Sequence, residues 1–233
     1  GLPESWFSAI HLIYERFRKR APYVVTLKPN SIDPDHGDRA TSLNQGLTGL
    51  KFTLLVGGAT KTYKFTTKDW EHLAAFVLNT GNEWGVTWSV TTSRRTSGSL
   101  VEQLRSLKQK HPEIVTNFID YSTAGPGSAS DLMLSSDVIF CTEDSNSMLT
   151  ESICARRPVV SLQPVLFDGS KDEKEYLEHL EKQGWMMRVK LSGINLESVK
   201  DSLGALTPMQ ENHLELLAEK IADRLGIGYR TNP

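Results

Sequence analysis

The sequence predicts an α/β protein: a Rossmann-like parallel sheet of about six strands with helices on both faces. Three observations predict it. From residue 51 onward, short runs rich in apolar and β-branched residues recur at about 20–35-residue intervals, as inner strands of a parallel sheet do. Between them lie stretches with apolar residues at helical spacing, so each strand feeds a right-handed crossover and returns parallel. The segments leaving the strands are polar or contain glycine, which suits the carboxyl edge where open α/β sheets bind ligands.

Taken in order, residues 3–20 read as a small N-terminal helix. Trp6, Ile10, Ile13, Tyr14 and Phe17 share a helical face, and Arg16, Arg18, Lys19 and Arg20 crowd its C-terminal end, where cations complement the dipole. A basic amphipathic helix either packs on its own domain or makes peripheral membrane contact. A short strand is expected at 23–27. Residues 28–49, rich in Pro, Asn, Asp, Gly, Ser and Thr, read as a linker. Asp33, Asp35, His36 and Asp38 could be drawn as a metal cluster, but acidic residues around Pro34 and Gly37 are ordinary turn chemistry. The expected division is a helix, strand and linker over 1–50 and one Rossmann-like domain over 51–233.

Within that domain, strands are expected at 52–56, 86–92, 114–119, 138–141, 158–162 and 187–190. Thr67 is the expected N-cap of a helix carrying Trp70, Leu73, Ala74 and Val77 on one face. A second helix turns Leu100, Val101, Leu104 and Leu107 inward, and a short one spans about 131–135. Another helix begins after residues 142–147, and one at about 172–183 stops at Gly184. Two helices close the chain. Asn195 caps the first, which stops at Gly204. Thr207 as N-cap, Pro208 at N1, Gln210 at N3 and Gly226 at C′ bound the second. Residues 228–233 read as a loose tail.

Bulk composition excludes several classes. At 233 residues, 39% hydrophobic and 23% charged with net charge -2, the chain is an ordinary globular one with no electrostatic reason to bind nucleic acid. No apolar run approaches the roughly 20 residues of a membrane span. Cys141 and Cys154 fall on a core strand and a packed helix, so buried free thiols in a reducing, cytoplasmic compartment are expected. With no Cys/His cluster, no metal site is expected. Gly1 stands where a start Met would, as in a fragment or a processed form.

Chemistry is expected in the loops after the strands. Gly57-Gly-Ala-Thr-Lys61 follows the first. Paired glycines let a backbone approach a phosphate and Lys61 could add charge, but the motif is neither Walker A nor G-x-G-x-x-G. A tight turn without a ligand explains it equally well. Ser93, Arg94 and Arg95 follow the second strand, and adjacent arginines beside a core need a counter-charge, either an anionic ligand or a surface carboxylate. The loop after the fourth strand holds Thr142, Glu143, Asp144, Ser145 and Ser147 ahead of a helix. Helix N-termini offer free N–H groups and partial positive charge to phosphates. Glu151 lies four residues past Ser147 and shares its helix face. Its carboxylate either accepts a ribose diol or merely complements the helix dipole, and spacing leaves both readings open.

Three runs carry a resemblance: residues 54–58 (Leu-Leu-Val-Gly-Gly), 90–96 (Val-Thr-Thr-Ser-Arg-Arg-Thr) and 136–160, which contains Asp144-Ser-Asn-Ser-Met-Leu-Thr-Glu151. They resemble the signatures of the mitochondrial-fission "elongated mitochondria" family, over about residues 50–190. The same region is similar, more distantly, to the C-terminal half of GT-B glycosyltransferases, such as the lipid II-forming N-acetylglucosaminyltransferase, and to UDP-GlcNAc 2-epimerase. The resemblance implies a nucleotide-diphosphate sugar as substrate, with no separate cofactor. It implies Glu151 on the ribose, and Ser145 and Ser147 on the diphosphate with help from Gly57 and Gly58. The loop after Ile119 would frame the base. A transferase, an epimerase and a non-catalytic scaffold all remain compatible with it. Two positions depart from the family pattern: Arg156-Arg157 precede Pro158 where Gly is usual, and residues 125–130 replace an Asn-Pro-Tyr. A GT-B enzyme needs a second α/β half of about 150 residues, and only about 50 residues precede Lys51. The resemblance therefore implies a donor-binding half, with residues 1–50 as a small helical remnant of a second domain.

Overall fold

The computed structural model describes residues 2–36, 43 and 46–228. Two three-residue strands, β1 (Ile10–Leu12) and β2 (Tyr23–Val25), pair in parallel at the start of the chain. Then come β3 (Lys51–Val56), β4 (Tyr63–Lys64), helix α1 (Thr67–Trp84), β5 (Thr87–Thr92), α2 (Gly98–Lys110) and β6 (Val115–Ile119). Two short helices, α3 (Tyr121–Ala124) and α4 (Ser130–Leu134), lead into β7 (Val138–Thr142), α5 (Asn146–Cys154), β8 (Val159–Gln163) and β9 (Leu166–Phe167). The chain ends with α6 (Lys171–Lys182), β10 (Met186–Lys190), α7 (Leu196–Leu203) and α8 (His213–Leu225).

Six of these strands form one all-parallel sheet in the order β10-β8-β7-β3-β5-β6. The chain enters at the centre with β3, winds outward through β5 and β6, then crosses back to β7 on the other side of β3. The strand order thus reverses between β3 and β7, which puts a ligand-binding crevice at their carboxyl ends. Alternation sorts the side chains onto two faces. Phe52, Leu54, Val90, Phe140 and Val160 face Leu73, Phe76 and Val77 of α1 and Val199 and Leu203 of α7. Leu55, Ile139, Cys141 and Val159 face Leu149 and Ile153 of α5 and Leu177 and Leu180 of α6. Both faces of the sheet centre are covered, so β3, β7 and β8 read as near-continuous apolar runs. Trp88 is fully buried, and its indole N–H is satisfied by Thr80 Oγ1 at 3.0 Å.

Several sequence expectations are corrected. Residues 3–20 form no α-helix and no helical remnant. They form β1 between two single 3₁₀ turns, because backbone pairing with β2 through Ile10↔Tyr23 and Leu12↔Val25 wins over helical spacing. Trp6, a member of the supposed buried face, is 71% exposed. The basic cluster is partly spent on acids, Arg16 on Asp172 and Glu175 and Arg18 on Glu15, so the premise of membrane contact through an amphipathic helix falls with the helix. The cap of α1 is Thr66 rather than Thr67, in a reciprocal capping box with Asp69. The last helix starts at His213 with Asn212 as cap. Thr207 instead donates toward Gln183 O. The stop at Gly226 holds, with φ +67°. Strands β4 and β9, which pair antiparallel beside the main sheet, are too short to leave a periodic signal.

Asp33 behaves as turn chemistry requires. Its Oδ1 accepts the Asp35 N–H at 3.1 Å, and its Oδ2 pairs with His36 Nδ1 at 2.7 Å. Asp38 and the tail from 229 lie outside the described residues. Among the described residues no helix is long and apolar enough to cross a membrane. Cys141 and Cys154 are free and buried. Arg156, where the family pattern departs, takes a left-handed φ of +56° that glycine adopts more readily, and its guanidinium pairs with Asp35 at 2.7 Å.

Candidate functional site

Three loops converge at the crevice between β3 and β7, and hydrogen bonds stitch them together. The Gly57 N–H donates to Thr142 Oγ1 at 2.7 Å, and the Gly58 N–H to Asp144 Oδ2 at 3.0 Å. Thr96 Oγ1 donates to Val56 O at 2.9 Å and Gly57 O at 2.7 Å. The glycines are needed for this closeness. A Cβ on Gly57 would stand 2.3 Å from both carboxylate oxygens of Asp144, and one on Gly58 2.1 Å from the Arg95 carbonyl oxygen. Both glycine N–H groups are thus engaged within the chain.

The two arginines differ in kind. Arg95 Nη2 lies 2.7 Å from Asp144 Oδ2, whose side chain is 0% exposed. Arg94 makes no hydrogen bond or ion pair among the described residues and stands exposed at the mouth of a cleft. That cleft, of about 410 Å³, is bounded by Ser93, Arg94 and Arg95 after β5, by Tyr121 and Ser128 after β6, and by Ser145, Ser147 and Glu151 on α5. Ser31 and Ile32 of the linker close it from the side. Six of the nine residues singled out from sequence therefore meet in one place: Ser93, Arg94, Arg95, Ser145, Ser147 and Glu151. Gly57 and Gly58 lie behind Asp144 and Arg95. Lys61 is exposed in the turn from Thr60 to Tyr63 and does not line the cleft.

Helix α5 presents its N-terminus here. Ser145 is its N-cap and accepts the Met148 N–H. Ser147 Oγ accepts a hydrogen bond from Lys28 Nζ at 2.6 Å. Glu151 is partly buried, and that burial raises its pKa above the usual carboxylate value, with the Lys28 ammonium pulling the other way. Arg94 lines the cleft, Lys28 reaches Ser147 on its border, and Glu151 is the one carboxylate among the residues lining it. Such a pattern suits a ligand with a diphosphate and a neutral diol.

Glu143 has a different role. It is fully buried and accepts Arg188 Nε at 2.8 Å and Nη2 at 2.7 Å, Ser161 Oγ at 3.0 Å and Gln163 Nε2 at 3.2 Å. It clamps β7 to β8 and β10 and offers nothing to the cleft. Sequence reasoning missed Lys28, Tyr121 and the special place of Asp144. Tyr121 follows directly on β6, in the loop expected to frame a base, and is held by its N–H on Thr92 Oγ1 at 3.0 Å. Lys28 stands 119 positions from its partner, so no local signal could have found it.

A family model for mitochondrial fission ELM1 matches residues 18–226. The chain belongs to the mitochondrial fission ELM1 family. Among solved structures, Acinetobacter baumannii MurG is 14% identical, with a TM-score of 0.50 over 97% of this chain and 59% of that one. A proposed UDP-N-acetylglucosamine 2-epimerase from Listeria monocytogenes is 16% identical, with a TM-score of 0.49 over 87% and 53%. The glycotransferase of kitacinnamycin is 12% identical, with a TM-score of 0.46 over 93% and 49%. The MurG likeness assigns this ELM1-family chain the fold found in GT-B glycosyltransferases. The chain spans about half to three-fifths of the length of these structures. No curated protein sequence matches it.

Proposed function

We propose that this chain is the donor-binding half of a GT-B-like glycosyltransferase, and that its cleft holds a nucleotide-diphosphate sugar whose sugar passes to an acceptor bound elsewhere. The observation that carries the reading is the cleft at the strand-order reversal, where an uncommitted Arg94, the N-terminus of α5 and Glu151 face one volume of about 410 Å³. Ser145, Ser147 and the α5 N–H groups take the diphosphate, with Arg94 as counter-charge. Glu151 takes the ribose hydroxyls, and the loop carrying Tyr121 frames the base. As the sugar leaves, charge grows on the diphosphate, and these fixed donors stabilise it. Residues 51–228 form the donor domain, and part of the segment before Lys51 completes it, with Leu27 and Ile32 in its core and Ser31 at the cleft.

Thermal unfolding with UDP, GDP and their sugar conjugates tests this. A ligand at a hundred times its Kd stabilises the folded chain by about 2.7 kcal/mol, so at least one of these nucleotides is expected to raise Tm. A folded chain whose Tm no nucleotide moves refutes the reading and favours a fold kept for interaction alone.

A further inference from the structure

Asp144 sits where an anion would. In a doubly wound sheet the turn after the first central strand, beside the strand-order reversal, is where a phosphate is commonly seated. Here the two groups best suited to hold a phosphate oxygen there, the Gly58 N–H at 3.0 Å and the Arg95 guanidinium at 2.7 Å, both converge on Asp144 Oδ2. The absence of a side chain at Gly57 makes room for this carboxylate. Its other oxygen, Oδ1, is buried and has no hydrogen-bond partner among the described residues. A buried carboxylate satisfied on one oxygen only is poorly placed to be a purely structural group. The neighbouring Glu143, with four donors on its two oxygens, shows what a structural carboxylate looks like in this fold.

We propose that Asp144 is an internal competitor for the phosphate seat, so that an entering diphosphate must displace its carboxylate from Arg95 and Gly58. This rests on the donor-site reading above, because Arg95, which pairs with Asp144, and Ser145, which follows it in the chain, both line the cleft. An anion arriving there meets a like charge that already holds Arg95. Affinity is then set by how readily Asp144 leaves. The opposite possibility is that Asp144 only orients Arg95 for the ligand. The two differ in sign: removing the charge of Asp144 strengthens phosphate binding in the first case and weakens it in the second.

The test is calorimetric titration of inorganic pyrophosphate into the chain and into Asp144→Asn, which keeps the shape and an acceptor for Gly58 and Arg95 but removes the charge. The expected result is pyrophosphate affinity raised about tenfold or more, the order of effect of one like charge a few ångströms away near a protein surface. Affinity unchanged or lowered in Asp144→Asn overturns the proposal and leaves the donor-site reading standing. Pyrophosphate binding by neither protein overturns both. A second readout needs no substitution. In the unaltered chain, the Gly58 amide resonance should move on adding pyrophosphate as its acceptor changes from carboxylate to phosphate. A Gly58 resonance that stays in place while that of Ser93 responds also overturns the proposal.

Discussion

Arg94 and Arg95 are adjacent in sequence yet are expected to fail in different ways when replaced. Arg95 pairs with an Asp144 side chain that is 0% exposed, while its own side chain is 39% exposed. Removing one partner of a fully buried pair costs about 3–5 kcal/mol. The half-exposed arginine reduces this, because water can enter and solvate the carboxylate, so Arg95→Ala should cost about 1.5–3 kcal/mol. At about 2–4 °C per kcal/mol for a chain of this size, Tm should fall by about 3–12 °C. Arg94 has no partner to lose among the described residues, so Arg94→Ala should leave stability within about 0.5 kcal/mol. Its loss should show in binding instead: a charged hydrogen bond to phosphate is worth about 1.5–3 kcal/mol, or about 10–150-fold in Kd. Urea unfolding read alongside calorimetry with UDP and GDP separates the two effects. Equal loss of stability in both variants, or an Arg94→Ala chain that binds nucleotide unchanged, refutes the division of labour.

Other outcomes follow from the same geometry. Glu151→Ala should weaken nucleoside diphosphate binding by about 1–3 kcal/mol through lost charged hydrogen bonds to the ribose; a calorimetric Kd that does not move removes Glu151 from the site. Gly57→Ala drives a methyl to 2.3 Å from the Asp144 carboxylate and should cost about 1–3 kcal/mol in urea unfolding, whereas an unaffected midpoint would mean that the loops are not so closely set. Asn212→Ala should destabilise by about 1 kcal/mol as loss of the true cap of α8, and Thr207→Ala by much less; the reverse order would reinstate the earlier helix start. His213 is fully buried, and burial, with His11 beside it, lowers its pKa below 6.5; burial lowers those of His11 and His179 as well. The unfolded chain therefore binds protons first as pH falls. Stability present above about pH 6.5 is lost as pH drops through the lowered folded values, and His213→Leu should flatten that slope. Unfolding free energies that stay level from pH 7.5 to 5.5 would contradict this.

Much of the fold was legible because its signals are local and repeated. The central strands β3, β7 and β8 are buried along nearly their whole length, and helices such as α7 carry both a cap and a stop within their own few residues. Legibility failed where structure is decided at a distance. β1 is three residues long, too short for a period of two to show against the chance helical spacing of Trp6, Ile10, Ile13 and Phe17. Thr207-Pro208 has the form of a helix start, yet Asn212 takes the cap, with its side-chain amide also donating to Asp35 at 2.8 Å, a contact across 177 positions. At the site, loop sequence alone singled out the serines and Glu151 that border the cleft. It did not show that Gly57 and Gly58 make room for Asp144 and the Arg95 backbone, or that Lys28 reaches Ser147. Those are facts of packing between loops far apart in the chain.

The claim on which the rest depends is that the cleft between β5, β6 and α5 holds a nucleoside diphosphate. Calorimetric titration of the chain with UDP and GDP, repeated on Arg94→Ala, addresses it most directly. One-to-one binding of at least one nucleotide is expected, with a loss of about tenfold or more in the variant. A folded chain that takes up neither nucleotide, or one whose binding is indifferent to Arg94, would contradict it.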